Sequence, residues 1–225
     1  PVSNPGKKID WQEAMDNTIN GAKNLSKAIE VASSKLGQPP KKRNLVIVQP
    51  YPGITQSLFG EIEGKKLNFS VLSQNLEKAS NDRLTACKWY VDTFLKKWDE
   101  EGPENINLIG FYWLFETVFR SWDVDDHWVL KEWKKHVNQK GLKTFWIPFW
   151  STYNMHLLDD YQNYYFDAAF FQPNYMFYTN LTGVEACARA AEKRHAGFEL
   201  EYFIKLDEPI KVEPERHKRL RDYLN

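Results

Sequence analysis

Three glutamates lie where an ionised side chain is costly to bury. Glu199 is flanked by Phe198 and Leu200, and Glu201 follows on the same face of an extended segment, because side chains alternate along a strand. Glu116 ends the apolar run GFYWLFE. A carboxylate in such surroundings must be paired, hydrogen-bonded or shifted in pKa. The three glutamates are therefore candidates for acid–base chemistry.

A pair of carboxylates facing one another is what glycoside hydrolysis commonly needs. One acts as general acid and the other as nucleophile or base, at about 5 Å for retention or about 6.5 to 9.5 Å for inversion. We predict Glu116 as the general acid and Glu201 or Glu199 as its partner. Three alternatives stay open. Glu199 could be a buried anchor bonded to Tyr or Asn, Glu201 a solvated acid at the rim, and Glu116 a charge favoured by a helix N-terminus.

Aromatic and amide side chains gather at the ends of the apolar segments. The chain has nine Trp, eleven Tyr and fourteen Phe, and flat aromatic faces stack well on sugar rings. The alternative is that these rings are large core residues. The predicted substrate-binding residues are Gln49, Tyr51, Tyr112, Trp113, Trp150, Gln172, Asn174 and Tyr175.

Metal and cofactor chemistry find little support in the sequence. The acidic cluster at 123–127 precedes a helical pattern, which is typical of helix capping. The histidines lack a metal-binding spacing, and no phosphate-binding loop, nucleophile elbow or dinucleotide fingerprint occurs. We expect no metal and no cofactor. Cys87 and Cys187 are predicted to be buried free thiols, since two cysteines make no disulfide framework.

The elements that must position these residues follow a regular alternation. Segments rich in β-branched and aromatic residues predict five strands, at 44–52, 106–113, 142–150, 166–175 and 195–203. Their near-continuous apolar character predicts a parallel sheet covered on both faces. In such folds the carboxyl ends of the strands collect the functional side chains, and the candidate residues lie at those ends.

Strands that alternate with helices predict an α/β fold. We predict a (β/α)8 TIM-barrel-like arrangement, incomplete in this chain, with five strands visible and units missing at one or both ends. An open parallel α/β sheet is the alternative. The length of 225 residues predicts a single domain, residues 1–225. The helix before the second of these strands is predicted to be capped by Asp82 and ended by Gly102, after a long loop at 53–80.

Charge and hydropathy limit the partners. Thirty Lys and Arg balance thirty Asp and Glu without a basic arm, so we expect no nucleic-acid partner. No apolar run reaches the roughly 18 to 20 residues of a membrane span, so we expect no membrane-spanning segment. The sequence carries no signal for an oligomeric state.

A resemblance adds to these predictions. The series RLTACKWYVDTFLKKW, INLIGFYWLFE, GLKTFWIPFW, FDAAFFQPNYMFY and AGFELE, within residues 83–202, resembles a group of bacterial secreted proteins. That group is classed as a domain of unknown function and is similar to glycoside hydrolase barrels. The resemblance implies a TIM-barrel-like domain that is exported to the periplasm, cell surface or medium. It brings no catalytic assignment.

The leading hypothesis is a glycoside hydrolase-like protein that binds and hydrolyses a poly- or oligosaccharide. A non-catalytic carbohydrate-binding barrel and a protein-interaction domain are the alternatives. A carboxylate separation beyond about 12 Å would favour binding without hydrolysis. A single flat, exposed patch of aromatic side chains would favour protein interaction.

Overall fold

The structure is a computed structural model of the chain, and it describes residues 5–150, 152, 155–178, 183–202 and 214–224. The helices are α1 (Lys8–Lys35), α2 (Leu76–Glu101), α3 (Asp126–Gln139), α4 (Tyr161–Tyr164), α5 (Val184–Lys193) and α6 (Pro214–Leu224), with a 3₁₀ turn at Met155–Asp159. The strands are β1 (Arg43–Gln49), β2 (Gly60–Ile62), β3 (Lys65–Leu67), β4 (Ile106–Trp113), β5 (Arg120–Ser121), β6 (Val124–Asp125), β7 (Lys143–Trp146), β8 (Ala168–Phe171) and β9 (Gly197–Phe198).

Five strands form one parallel sheet in the order β1-β4-β7-β8-β9. The pairs β1–β4, β7–β8 and β8–β9 are all parallel. Each strand of this sheet lies beside the next one along the chain, as in a β/α barrel, whereas a doubly wound sheet reverses its order at a switch point. The predicted α/β class and the five parallel strands are confirmed.

The observed strands are mostly shorter than the apolar segments. β4 has the predicted bounds, but β9 covers only two residues of the segment predicted at 195–203, part of which lies outside the described residues. β7 ends at Trp146, and pairing resumes in one bridge between Phe149 and Gln172. Pro148 lies between Trp146 and Phe149, and proline has no backbone N–H to donate to a neighbouring strand.

The start of α2 corrects one prediction. The cap is Asn75, whose side chain accepts a backbone hydrogen bond at 2.9 Å. The predicted cap, Asp82, is wrong: it lies inside the helix, is buried, and forms an ion pair with Lys65 at 2.5 Å. The segment 53–80, which was predicted to be a loop, contains the β2–β3 hairpin and the first turn of α2. Gly102 follows the last residue of α2, as predicted.

The chain divides into two compact units. The first unit comprises residues 1–114 and 119–144, and the second comprises 115–118 and 145–225. Each has buried aromatic residues, such as Phe94 and Trp133 in the first and Trp146 and Phe166 in the second. The single domain predicted for residues 1–225 stays a prediction.

One buried cysteine lies in each unit. Cys87 of α2 and Cys187 of α5 are free thiols without exposed surface, so the sequence prediction is confirmed. Burial raises the pKa of the Cys187 thiol to about 12 and also raises that of Cys87. Both thiols are therefore protonated and shielded in the folded chain.

The acidic cluster at 123–127 has structural roles in the first unit. Asp125 caps α3 by accepting the Trp128 N–H at 3.1 Å, as capping predicts. Asp126 is fully buried and paired with Arg83. In the described part of the chain no three His, Cys, Asp or Glu side chains are grouped as metal ligands. None of the helices described is both long and apolar enough to cross a membrane.

Candidate carboxylate site

Backbone hydrogen bonds align three predicted site residues at the carboxyl ends of β7, β8 and β9. The Gln172 N–H donates to the Pro148 carbonyl at 3.0 Å, and the Trp150 N–H donates to the Gln172 carbonyl at 2.8 Å. The Glu199 N–H donates to the Phe171 carbonyl at 2.9 Å. Trp150, Gln172 and Glu199 therefore lie in register at one end of the second unit's strands.

Glu116 belongs to the same unit, in the loop 115–118. The Trp146 indole N–H donates to a backbone carbonyl of this loop at 3.0 Å. The Thr117 hydroxyl is hydrogen-bonded to the Thr152 hydroxyl. No helix begins at Glu116, because α3 starts well beyond it. The alternative that a helix N-terminus favours the negative charge of Glu116 is therefore wrong.

The three glutamates interact electrostatically within the second unit. Burial raises the pKa of Glu199 to about 6, and the charges of Glu201 and Glu116 add to that rise. Burial likewise raises the pKa of Glu116, with the Glu201 charge as the next cause. As a residue Glu116 is the most exposed of the three. The charge of Glu201 thus raises the pKa of both other carboxylates that the sequence singles out.

Glu201 is buried and hydrogen-bonded. Only 7% of the residue is exposed, and the Tyr223 hydroxyl donates to its Oε2 at 2.5 Å. Burial raises the pKa of Glu201, whereas Tyr223, the N–H groups of Asn174 and Met176 and the Gln172 side chain oppose that rise. The alternative of a solvated rim acid is wrong. Glu201 is the carboxylate whose ionised form has the most hydrogen-bonding support.

Several polar atoms around these carboxylates are buried without a partner. Among the described residues, no hydrogen bond reaches Trp150 Nε1, Gln172 Oε1, Glu199 Oε2 or Glu201 Oε1. Buried polar groups in native proteins are nearly always hydrogen-bonded, and each one left alone costs about 1 to 3 kcal/mol. The described residues therefore provide no Tyr or Asn anchor for Glu199 Oε2. One donor and three acceptors suit a ligand rich in hydroxyl groups.

The backbone beside Glu201 is strained. Asn174 has φ 56°, in the left-handed region that few non-glycine residues enter and that asparagine tolerates best. Its carbonyl accepts the Phe177 and Tyr178 N–H groups at 3.1 and 2.9 Å, which closes a turn. This turn directs the Asn174 N–H towards Glu201, where it favours the ionised carboxylate. Backbone strain of this kind is concentrated at functional sites.

Helix α6 supplies a site residue that the sequence did not indicate. Besides the bond from Tyr223 to Glu201, the Tyr175 hydroxyl donates to Asp222 at 2.8 Å and Arg219 donates to a backbone carbonyl at 2.7 Å. The hydrogen bond to Asp222 is the main reason that the pKa of Tyr175 is raised. No sequence spacing connects Tyr223 to Glu201, because only the tertiary fold joins them.

Four predicted binding residues lie in the first unit. Gln49 is fully buried, and its Oε1 accepts the Trp133 indole N–H at 3.1 Å. Trp113 is 1% exposed, and its ring lies 5.6 and 5.5 Å from those of Tyr51 and Trp133. Gln49 and Trp113 are core groups in this structure, and Tyr112 is half-buried. Their contacts with a sugar stay predictions.

We expect Tyr223→Phe to raise the pKa of Glu201 further, because the hydrogen bond from the Tyr223 hydroxyl favours the ionised carboxylate. A hydrogen bond to a charged group is worth about 1.5 to 3 kcal/mol, so its loss should be measurable. The measurement is a ¹³C NMR titration of glutamate carboxyls, assigned with Glu201→Gln. Tyr175→Phe is the matched control, because its hydroxyl is bonded to Asp222 instead. A Glu201 pKa unchanged by Tyr223→Phe would contradict the contact.

The chain belongs to a family described as a domain of unknown function (DUF4855), which it matches over residues 1–225. No curated protein and no solved structure matches it. The match carries no reaction, so any function has to be argued from the chemistry of the site.

Proposed function

We propose that this member of the DUF4855 family is a glycoside hydrolase-like protein that binds and hydrolyses a poly- or oligosaccharide. The observation that carries the proposal is the contrast between neighbouring carboxylates. Burial and like charges raise the pKa of Glu199 to about 6. Burial raises the pKa of Glu201 as well, but there the Tyr223 hydroxyl and other hydrogen-bond donors oppose the rise. Carboxylates whose environments push their pKa values apart are the usual acid and base of a hydrolytic site.

In this proposal Glu199 is the general acid and Glu201 is the nucleophile or base. Glu199 donates its proton to the glycosidic oxygen as the bond from that oxygen to the anomeric carbon breaks. Glu201 either attacks that carbon or deprotonates a water that does so. One water is consumed in total: its hydroxyl goes to the anomeric carbon and its other proton restores Glu199.

Glu116 was the general acid predicted from sequence, and it keeps a supporting role in the proposal. It is more exposed than Glu199, and its negative charge helps to keep Glu199 protonated. The comparison of Glu116→Gln with Glu199→Gln decides between them. If Glu116→Gln caused the larger loss of turnover, the roles would have to be exchanged.

Substrate binding is assigned to the polar atoms that lack partners. Trp150 Nε1 would donate to a sugar hydroxyl, while the Gln172 and Glu199 oxygens would accept from one. Asn174 and Tyr175 lie in the turn beside them. Closure of the sheet into a TIM-type barrel, a bacterial source and export belong to this proposal too, and they rest on the strand order and the sequence resemblance.

The test is a binding and hydrolysis screen. Wild type and Glu201→Gln are incubated with α- and β-linked hexasaccharides and aryl glycosides, and ¹H NMR records the products and their anomeric configuration. Hydrolysis by the wild type alone supports the proposal. Binding without turnover by the wild type would indicate a non-catalytic carbohydrate-binding protein, and the absence of both would end the saccharide hypothesis.

The proposal predicts that kcat/KM falls above about pH 6. Glu199 must be protonated to act, and the pKa of about 6 places its loss of the proton there. Below the optimum kcat/KM falls as the base carboxylate becomes protonated. Because the glutamates titrate as a coupled set, the apparent pKa values of both limbs of the profile describe the set and not single residues. The measurement is kcat/KM from pH 4 to 8.

Glu116→Gln serves as the control for this pH profile. Removing its charge lowers the pKa of Glu199, since Glu116 contributes to the rise. The alkaline limb of the variant should therefore move to lower pH. A profile that stays flat between pH 5 and 8 in the wild type would contradict Glu199 as the acid.

A further inference from the structure

We propose a second saccharide-binding site in the first unit, in the cleft between the N-terminal ends of α2 and α3. The cleft has a volume of about 570 Å³, within the usual range of small-molecule sites. The carboxylates described above belong to the second unit. The residues that line the cleft are Leu76, Glu77, Ser80, Asn81, Asp125 and Trp128.

Ser80 indicates that this cleft holds a ligand. The residue is 4% exposed, and its Oγ has no hydrogen-bond partner among the described residues. A hydroxyl in a helix usually bonds to the carbonyl four residues earlier, as Thr85 does at 2.8 Å to Asn81. Ser80 makes no such bond although it lines the cleft. A buried hydroxyl of this kind calls for a partner, and a bound molecule would supply it.

The charges of the lining exclude anions. Glu77 and Asp125 are acidic, and none of the described residues that line the cleft is a Lys, Arg or His. Asp125 is held in place because its Oδ1 accepts the Trp128 N–H at 3.1 Å. Carboxylate oxygens accept hydrogen bonds from hydroxyl groups, and the Ser80 hydroxyl can donate or accept. The polar part of the lining therefore suits a neutral ligand with several hydroxyls.

The apolar part of the lining supplies a flat surface. Trp128 is half-buried and Leu76 lies in the first turn of α2, so both present carbon atoms to the cleft. An aromatic face beside hydrogen-bonding groups suits a pyranose ring, which has a carbon face and a rim of hydroxyls. The choice of a saccharide rests on the proposed function. The rival occupant is an ammonium ion, which also favours a tryptophan face with carboxylates.

The experiment is an NMR titration of the full chain carrying Glu201→Gln, which is expected to slow turnover. The probes are cellohexaose, xylohexaose, laminarihexaose and chitohexaose, with tetramethylammonium added separately. We expect one hexasaccharide to shift the amide signals of residues 76–81 and 125–128. Trp128→Ala should weaken the affinity at this cleft at least about tenfold, from the loss of ring burial and stacking.

Two further variants control for folding. Trp122→Ala removes a tryptophan that is 78% exposed and does not line the cleft, so it should leave these shifts unchanged. Ser80→Ala should weaken binding several-fold, by the value of one hydrogen bond, and should leave the free protein as stable or more stable. A Ser80→Ala variant that binds like wild type would overturn the role of the hydroxyl.

The outcomes separate this inference from the proposed function. If no hexasaccharide shifts these signals, or if only tetramethylammonium does, the inference is overturned whatever the hydrolysis screen finds. If the cleft binds a saccharide and the wild type hydrolyses none, the inference stands and the proposed reaction fails. Trp128→Ala should keep wild-type turnover of a small aryl glycoside if both are correct.

Discussion

Glu201→Gln is expected to lower turnover by about 10³-fold and to leave the protein at least as stable at pH 7. Loss of a group that transfers protons or attacks in the transition state costs about 10² to 10⁴ in rate. Glutamine keeps the shape and can still accept the Tyr223 hydroxyl. The variant therefore removes the charge of Glu201 and little else.

The stability half of this prediction follows from the sign of the pKa shift. Burial raises the pKa of Glu201 in the folded chain, so the folded state holds this proton more tightly than the unfolded state. Its contribution to stability is present below the unfolded pKa and is lost as pH rises through the folded pKa. At pH 7 the buried charge is a cost, and glutamine removes it.

Hydrolysis rates and urea unfolding at pH 7 measure the two halves together. The matched control is Glu192→Gln, an exposed glutamate on α5 of the same unit, which should change neither quantity. Turnover within tenfold of wild type would remove Glu201 from the site. Lost turnover together with a large loss of stability would make Glu201 a structural residue instead.

Arg83→Met is expected to destabilise the protein by about 3 to 5 kcal/mol, the usual cost of removing one partner from a buried ion pair. Arg83 and Asp126 are both fully buried and form an ion pair. The arginine also donates to the Pro52 carbonyl at 2.8 Å. After the substitution, the donors to Asp126 among the described residues are neutral: the Tyr51 hydroxyl at 3.2 Å and the Phe119 N–H at 3.0 Å. A buried charge is then left without its counterion.

Urea unfolding measures this loss. Lys97→Met, which breaks the exposed ion pair with Asp16, is the control and should cause little change, since surface ion pairs contribute little. If Arg83→Met were as mild as Lys97→Met, the Arg83–Asp126 pair would not be a major source of stability in the first unit.

The sequence predicted the elements whose residues repeat a regular pattern. The alternation of apolar strands and amphipathic helices located β4 at its observed bounds, because eight consecutive residues fit one strand. The same alternation placed Glu199 and Glu201 at a strand end, and in the structure the charges of these glutamates and of Glu116 affect one another's pKa. Hydrophobic periodicity, and the tendency of functional side chains to lie at the carboxyl ends of parallel strands, were sufficient to predict these features. Both can be recognised from local sequence.

The sequence was a poor guide wherever tertiary contacts decide the outcome. Aspartate is a common helix cap, but Asp82 lies inside α2, where it forms an ion pair with Lys65 of β3. Trp113 marks a strand end, yet neighbouring rings enclose it. Tyr223, which lies in α6 and 22 residues after Glu201 in the chain, donates a hydrogen bond to it. Burial and pairing of this kind depend on which elements meet, and hydropathy alone does not encode that.

The two buried thiols give each unit its own reporter of opening. Cys87 lies in the first unit and Cys187 in the second, and both are shielded with a raised pKa. An alkylating reagent reacts with a thiolate only after the surrounding structure opens. Mass spectrometry of time-resolved alkylation, peptide by peptide, therefore reports how readily each unit opens in one unmodified protein. Equal alkylation rates of Cys87 and Cys187 are expected if residues 1–225 open cooperatively. Unequal rates would mean that the two units open independently.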